Sequence, residues 1–402
     1  MNKPLRIGLI MQGGRGWIGG TEYIKNIVFA LASLPPEVQT TFEICLLCSQ
    51  SLESSLYSQI QPYLKNIYYL EIEQEPLNLQ NRLRWKLIRN LFKLHDPRFA
   101  AFIKKAKIDF VYPYYTLGIS PTYYRSATWI YDFRHKYLPE SLNQQEIKDR
   151  DQLFALMARQ ASTVILSSKT SELDFQKYFP ESAHKSKVLS FKTYPDPAWY
   201  EVNPRKTQQE YYLPDRFFLV SNQFWQHKNH LVVFQALKLL QEKSIYPIVV
   251  CTGHIGDYYK PEYSDTILQA IHKLGIAHQV YLLGLIPRLD QIQLMRRALA
   301  VIQPSLFEGW STVVEDARCL GKQIILSDIP IHLEQNPANS IFFERDSPES
   351  LADLLADRWD HLSPGPALEQ ETLAKTNNLK EVQAFGYRFL EIAKGAIEPS
   401  ES

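Results

Sequence analysis

The chain has 402 residues, of which 45% are hydrophobic and 22% charged, with a formal net charge of +1. This composition fits a globular protein with large cores, and at about 100–200 residues per domain the length predicts two domains or three. The near-zero charge excludes a dedicated nucleic-acid binder, no apolar run reaches the ~20 residues of a membrane span, and the short, glycine-interrupted N-terminal run is not a secretory signal; a cytoplasmic location is expected.

The first predicted strand, "LRIGLIM" (5–11), leads through a glycine loop into a predicted helix, "TEYIKNIVFALASL" (21–34). Gly14, Gly16 and Gly19 match G-x-G-x-x-G in the strand–loop–helix setting that a dinucleotide site requires. Such a site also needs an acidic residue at the tip of the second strand to hold the ribose hydroxyls, and here that strand ends "LLCSQ". Two readings stay open: a loop whose backbone amides face an anion at a helix N-terminus, or a glycine turn without a ligand. Cys45 and Cys48 form a C-x-x-C inside a strand-like run, with no second pair to complete a zinc site, so all four cysteines are expected to be reduced core thiols.

Further strands are predicted at "FEICLL", "IYYLEI", "DFVYPY", "ATWIYD" and "TVILSS". Between the second and third of these, "NRLRWKLIRNLFKLHDPRFAAFIKKAKID" (81–109) carries nine Lys/Arg against two acidic residues, with large apolar residues interleaved. Residues 81–107 can lie on an anionic membrane surface, meet an anionic acceptor, or form a helix with a solvated basic face. Asp132 and His135 follow the strand "ATWIYD". The proline-bearing stretch 191–216 lacks a period and reads as a linker.

A second series follows: "FFLVSN", "PIVVCT", "QVYLLG", "LAVIQP", "QIILSD" and "SIFFE", and a helical stretch (378–397) closes the chain. Strands alternating with helices in two series predict an α/β protein with two Rossmann-like, doubly wound domains and an interdomain cleft. The expected division is 1–200 and 201–380, with the helix near 380–397 able to pack back on the first domain. Ligands in this architecture bind at the carboxyl ends of the strands.

Glu308 stands in the loop after a predicted strand, at such a carboxyl end. Ser311 and Thr312 would open the next helix and offer backbone amides to an anion, and Glu315 lies one turn further on. Thr312 and Glu315 also fit a capping box, Lys228 can be a solvated loop lysine, and His135 a surface histidine. His227 and His230 have an H-x-x-H spacing without a nearby carboxylate or cysteine, and read as polar loop and cap residues rather than metal ligands.

"PSLFEGWSTVVEDARCLGKQIILSDIPIHLEQ" (304–335) resembles the acidic signature of family-4 retaining glycosyltransferases (glycosyl transferases group 1) with the GT-B fold. "SNQFWQHKNH" (221–230) resembles their phosphate-binding loop, and "GGTEYIKNI" (19–27) their donor-facing glycine loop. The resemblance implies transfer of a sugar, of the hexosyl type, from a nucleotide-sugar such as a UDP- or GDP-sugar to a hydroxyl of a glycan or lipid-linked acceptor, with retention, as in polysaccharide biosynthesis. It implies Glu308 beside the donor sugar, Glu315 at the ribose, Lys228 on the diphosphate and His135 near sugar and acceptor. Donor contacts are further implied for Gly19, Gly20, Asn222, Gln223, Gly309, Trp310, Ser311 and Thr312, with no cofactor, no metal and no nucleic acid. The chain departs from the pattern by one residue in the glutamate spacing, and Gln223 stands where an arginine is usual. An epimerase or hydrolase on the same fold, or a non-catalytic nucleotide- or sugar-binding protein, are the alternatives.

Overall fold

Leu5–Ile10 forms β1: Ile7 and Leu9 bury one face completely, and on the other Gly8 is buried against Ile108 and Ile10 packs half-buried on a second core, as in a strand covered on two sides. In this computed structural model the described residues are 3–14, 17–73, 97–115, 124–256, 260 and 262–397. They fall into two compact units. One comprises Met1–Asp132, Asp149–Tyr194 and Leu379–Ser402, and the other Phe133–Lys148 and Pro195–Asn378.

The first unit adds β2 (Phe42–Cys48), β3 (Asn66–Tyr69), β4 (Phe110–Tyr112), β5 (Arg125–Ser126), β6 (Thr128–Ile130), β7 (Val164–Leu166) and β8 (Ser186–Val188). Its sheets have the orders β3-β2-β1-β4-β5 and β6-β7-β8, with parallel pairing throughout. Ala127, between β5 and β6, donates to Val111 O, and the next residue, Thr128, donates to Thr163 O, so the chain steps from one sheet to the other without a break. The run read as "IYYLEI" is a strand only to Tyr69, and Leu70–Glu73 is helical. Cys45 and Cys48 are free and buried in β2, and burial pushes the Cys48 thiol up to about 11, the environment of an inert core thiol.

The basic stretch is described only from residue 97. There the helix Pro97–Lys105 buries Phe99, Ala100, Phe102 and Ile103 against Val111, Tyr114 and Tyr124. Its apolar face is therefore committed to the core, and Lys104, Lys105 and Lys107 are left exposed. Residues 81–96 lie outside the described residues. No helix among the described residues is long and apolar enough to cross a membrane.

The second unit holds a six-stranded parallel sheet built from β9 (Phe218–Ser221), β10 (Val249–Thr252), β11 (Val280–Gly284), β12 (Val301–Gln303), β13 (Ile324–Ser327) and β14 (Ser340–Phe343), in the order β11-β10-β9-β12-β13-β14. Alternate residues feed two separate cores. Phe218, Val220, Val249, Cys251, Ile302 and Ile325 enter one, while Leu219, Val250, Val301, Ile324 and Leu326 enter the other. A sheet with a helix-covered core on each face is the doubly wound arrangement expected from the sequence. The stretch read as a linker is partly structured: Ala198–Glu201 and Pro204–Glu210 are helical, and Trp199 and Leu213 join the second of these cores.

His230, read as a polar cap, is instead wholly buried at the start of helix His230–Glu242, with its ring stacked 4.1 Å from Phe224 and no partner for either ring nitrogen among the described residues. Burial, with Lys228 nearby, pushes it down to about 3. Its folded value lies below its unfolded one, so the unfolded chain binds the extra proton, and stability falls as pH drops from about 6.5 towards 3. His332, pushed down to about 4, acts in the same direction over most of that window. His230→Phe is expected to raise stability at pH 7 by about 1 kcal/mol, by removing unsatisfied ring nitrogens, and to reduce the loss on acidification. Thermal melts at pH 7 and pH 4.5 check this, and an unchanged acid slope would count against it.

Candidate functional site

The carboxyl ends of β9 and β12 carry the two stretches singled out in the sequence. After β9 the chain makes a 3-10 turn, Gln226–Lys228, closed by Asn229 in the left-handed region at φ 52°, before helix His230–Glu242 begins. After β12 the loop 304–311 leads into helix Thr312–Cys319. Leu306 N donates to His227 O at 2.8 Å, which pins the two loops together.

That pinning brings Lys228 and Glu308 into contact, with Lys228 Nζ 2.6 Å from Glu308 Oε1. Glu308 is 8% exposed and the Lys228 side chain 15%, so Lys228 is not the solvated loop lysine the sequence left open. Two more donors converge on the same oxygen: Gln303 Nε2 at 2.9 Å and Ser305 Oγ at 2.6 Å. Three donors on one oxygen of a shielded carboxylate complement its charge and fix its direction. Behind Ser305, Ser327 Oγ donates to Ser305 O at 2.6 Å, and His332 Nδ1 donates to Ser327 O at 2.9 Å. Burial pushes His332 down, against the pull of the Glu308 carboxylate, so a neutral ring backs the site.

Helix Thr312–Cys319 is capped by Ser311, whose Oγ accepts from Val314 N, and not by Thr312; the Thr312–Glu315 capping box does not form. Ser311 N is taken by Gln335 Oε1 at 3.1 Å, so this amide serves the fold and is not presented to an anion. Glu315 is 1% exposed. Its Oε1 accepts from Gln335 Nε2 (3.3 Å) and its Oε2 from Arg318 Nε (2.8 Å). Arg318 in turn donates to Asn378 Oδ1. Gly309, Trp310 and Thr312 are half-buried around this helix start.

Asn222 is buried, with its amide on Gln303 Oε1 at 2.8 Å, while Gln223 is half-buried beside it. His135 lies in the short helix Arg134–Tyr137, which belongs to the second unit, and at 2% exposure it is not a surface histidine. The same helix brings Arg134 Nη1 to 2.7 Å from His227 Nδ1, and stacks Tyr137 on Phe307. Nothing in the sequence signals that residues 133–148 attach here. Gln303, Ser305, Gln335 and Arg318 also escape the sequence reading, although the first two are polar residues at a buried strand end, which is a readable signal.

In the first unit, Gly19 and Gly20 lie inside the first turn of helix Ile18–Ala32, not ahead of it. Trp17 folds back over that turn and stacks on Trp129, and a Cβ on Gly20 would meet its indole at 2.9 Å. Thr21 Oγ1 accepts from Gly14 N and donates to Gln12 O, fastening the loop to the helix. Arg15 and Gly16 lie outside the described residues. Among the described residues no group of three or more His, Cys, Asp or Glu is arranged to hold a metal ion.

Residues 204–359 match the family model for glycosyl transferases group 1. A search of curated proteins finds no match. Among solved structures, the chain is similar to a glycosyltransferase from Rickettsia africae (TM-score 0.67, 14% identity, 99% of this chain and 100% of that one). It is similar also to sucrose-phosphate synthase from Thermosynechococcus elongatus (0.66, 14%, 97% and 98%) and to Anabaena HepE in complex with UDP and glucose (0.64, 16%, 97% and 100%). The fold is that of the GT-B glycosyltransferases, with mixed α/β architecture and parallel sheets.

Proposed function

We propose that this protein is a glycosyltransferase that moves a hexosyl group from a nucleotide-sugar to a hydroxyl of a glycan or glycolipid, with retention of configuration. The carrying observation is the shielded Lys228–Glu308 pair at the carboxyl ends of adjacent parallel strands, inside the segment matched by the glycosyl transferases group 1 model. In this reading the second unit holds the donor and the first takes the acceptor. Lys228 turns to the diphosphate, where negative charge accumulates as the glycosidic C–O bond breaks. Glu308 lies beside the sugar and stabilises the oxocarbenium-like centre. The acceptor oxygen attacks on the face the diphosphate leaves, and its proton passes to a departing phosphate oxygen. Glu315 receives the ribose hydroxyls, with Arg318 and Gln335 holding its carboxylate in place. The UDP and glucose bound to the Anabaena neighbour support a nucleotide-sugar as donor.

The test is a panel of nucleotides and nucleotide-sugars read first by thermal stabilisation and then by nucleoside diphosphate release. One nucleoside diphosphate and its sugar conjugate are expected to raise the melting temperature, and release is expected to accelerate when the matching acceptor is added. Stabilisation without turnover of any donor would move the assignment to a binding protein. Release that ignores every acceptor would move it to a hydrolase or epimerase.

A further inference from the structure

Asn222 directly follows β9, and Gln303 ends the neighbouring strand β12. Both side chains are buried, Gln303 completely and Asn222 to within 5%. Asn222 Nδ2 donates to Gln303 Oε1 at 2.8 Å. A carboxamide has one accepting end and one donating end, so fixing one fixes the other. With its oxygen turned to Asn222, Gln303 presents Nε2 to Glu308 Oε1 at 2.9 Å and to Ser305 Oγ at 3.2 Å. Ser305, accepting from Gln303, then donates its hydroxyl hydrogen to Glu308 Oε1. The reverse orientation of Gln303 would set its oxygen against the Glu308 carboxylate, two acceptors face to face.

We infer that Asn222 is a positioning residue: its donated hydrogen bond matches the polarity that Ser305 and Glu308 require of the Gln303 amide. An acceptor at position 222 would reverse that amide and break the hydrogen bonds that hold Glu308 on the side of the site where Lys228 stands. The family resemblance implies a donor contact for Asn222, but its amide is committed to Gln303. The consequence for turnover rests on the glycosyltransferase reading, while the polarity relay itself does not.

Two variants separate polarity from packing. Asn222→Asp keeps the shape but can only accept when ionised, so Gln303 must turn its amino group to the new carboxylate and its oxygen to Glu308. Asn222→Ala removes atoms yet leaves Gln303 free to keep its orientation through Ser305 and Glu308. A packing role makes Ala the worse substitution, and a polarity role makes Asp the worse. At pH 8 we expect Asn222→Asp to melt below Asn222→Ala. Transfer should fall about 100-fold in the Asp variant and less than about 10-fold in the Ala variant, with nucleoside diphosphate affinity little changed in either.

The charged groups linked to position 222 through Gln303 are Glu308 and, paired with it, Lys228, with neutral His332 behind them. As pH falls towards 5, the introduced carboxyl group, once protonated, again donates to Gln303, so turnover of the Asp variant relative to wild type should rise. Gln303→Glu meets the same conflict from the other end and should match Asn222→Asp in melting and turnover; it stands in for that variant should it not fold. The inference is overturned if the Ala variant melts lower than the Asp variant, or if Gln303→Glu turns over like wild type. If wild-type protein turns over no nucleotide-sugar, the functional assignment fails instead, and the melting order still decides the relay.

Discussion

Glu308→Gln is expected to lower acceptor-dependent transfer about 1000-fold while leaving nucleoside diphosphate binding nearly unchanged. The substitution is nearly isosteric, and the oxygen of the introduced amide can take the place of Oε1, where Lys228, Gln303 and Ser305 converge. The loop 304–311 therefore keeps its anchors, but the Lys228 ammonium loses its counter-charge, so melting should fall. The drop should be smaller than in a Lys228 variant because the lysine, at 15% exposure, is the partner nearer to solvent. On the glycosyltransferase reading, what disappears is the negative charge beside the sugar carbon at which positive charge would develop. An interaction present only in the transition state appears in kcat and not in ground-state binding. Steady-state release of nucleoside diphosphate, measured with and without acceptor, reads this directly. Residual activity above about a tenth of wild type would mean that Glu308 does not face the reacting centre.

The strand–helix alternation is legible because the strands of a parallel sheet covered on both faces are nearly continuous apolar runs, such as "FFLVS" and "IILS". The strands that escape, β5 and β8, are two and three residues long and carry Arg125, Ser126, Ser186 and Lys187, so no hydrophobic period marks them. Within the site, Glu308 and Lys228 can be read because charged residues in loops at strand ends have few structural reasons to be there. Their partners cannot. Asn222 and Gln303 lie 81 positions apart and meet only because β12 pairs beside β9, a register that the sequence does not display. The helix cap differs by one residue from the capping box for a related reason. Ser311 and Thr312 are equally good caps by type, and Gln335, 24 positions on, fixes Ser311 as the one outside the helix. The first helix starts earlier than the sequence suggests because Gly19 and Gly20 are poor helix formers on propensity, yet Trp17 packs over them and needs the missing side chains.

Lys228→Met should be the more damaging change, because it removes a cation from two places at once. In the resting structure Lys228 is the only charged partner among the three donors on Glu308 Oε1. Removing one member of a shielded ion pair leaves the other charge uncompensated, at a cost of about 3 kcal/mol where both are nearly buried. During transfer the same ammonium would neutralise the departing diphosphate, so affinity for the nucleoside diphosphate should fall about 100-fold and transfer more than about 1000-fold. The two losses separate in the double variant Lys228→Met/Glu308→Gln. With no carboxylate left to strand, melting should return close to wild type, whereas nucleotide affinity and transfer should stay low. Lys228→Arg retains the charge but spreads it over a planar fork, so it should restore stability more fully than turnover. A Lys228→Met protein that binds the diphosphate as wild type does would place the phosphates elsewhere on the second unit, and would leave the pair with a purely structural role.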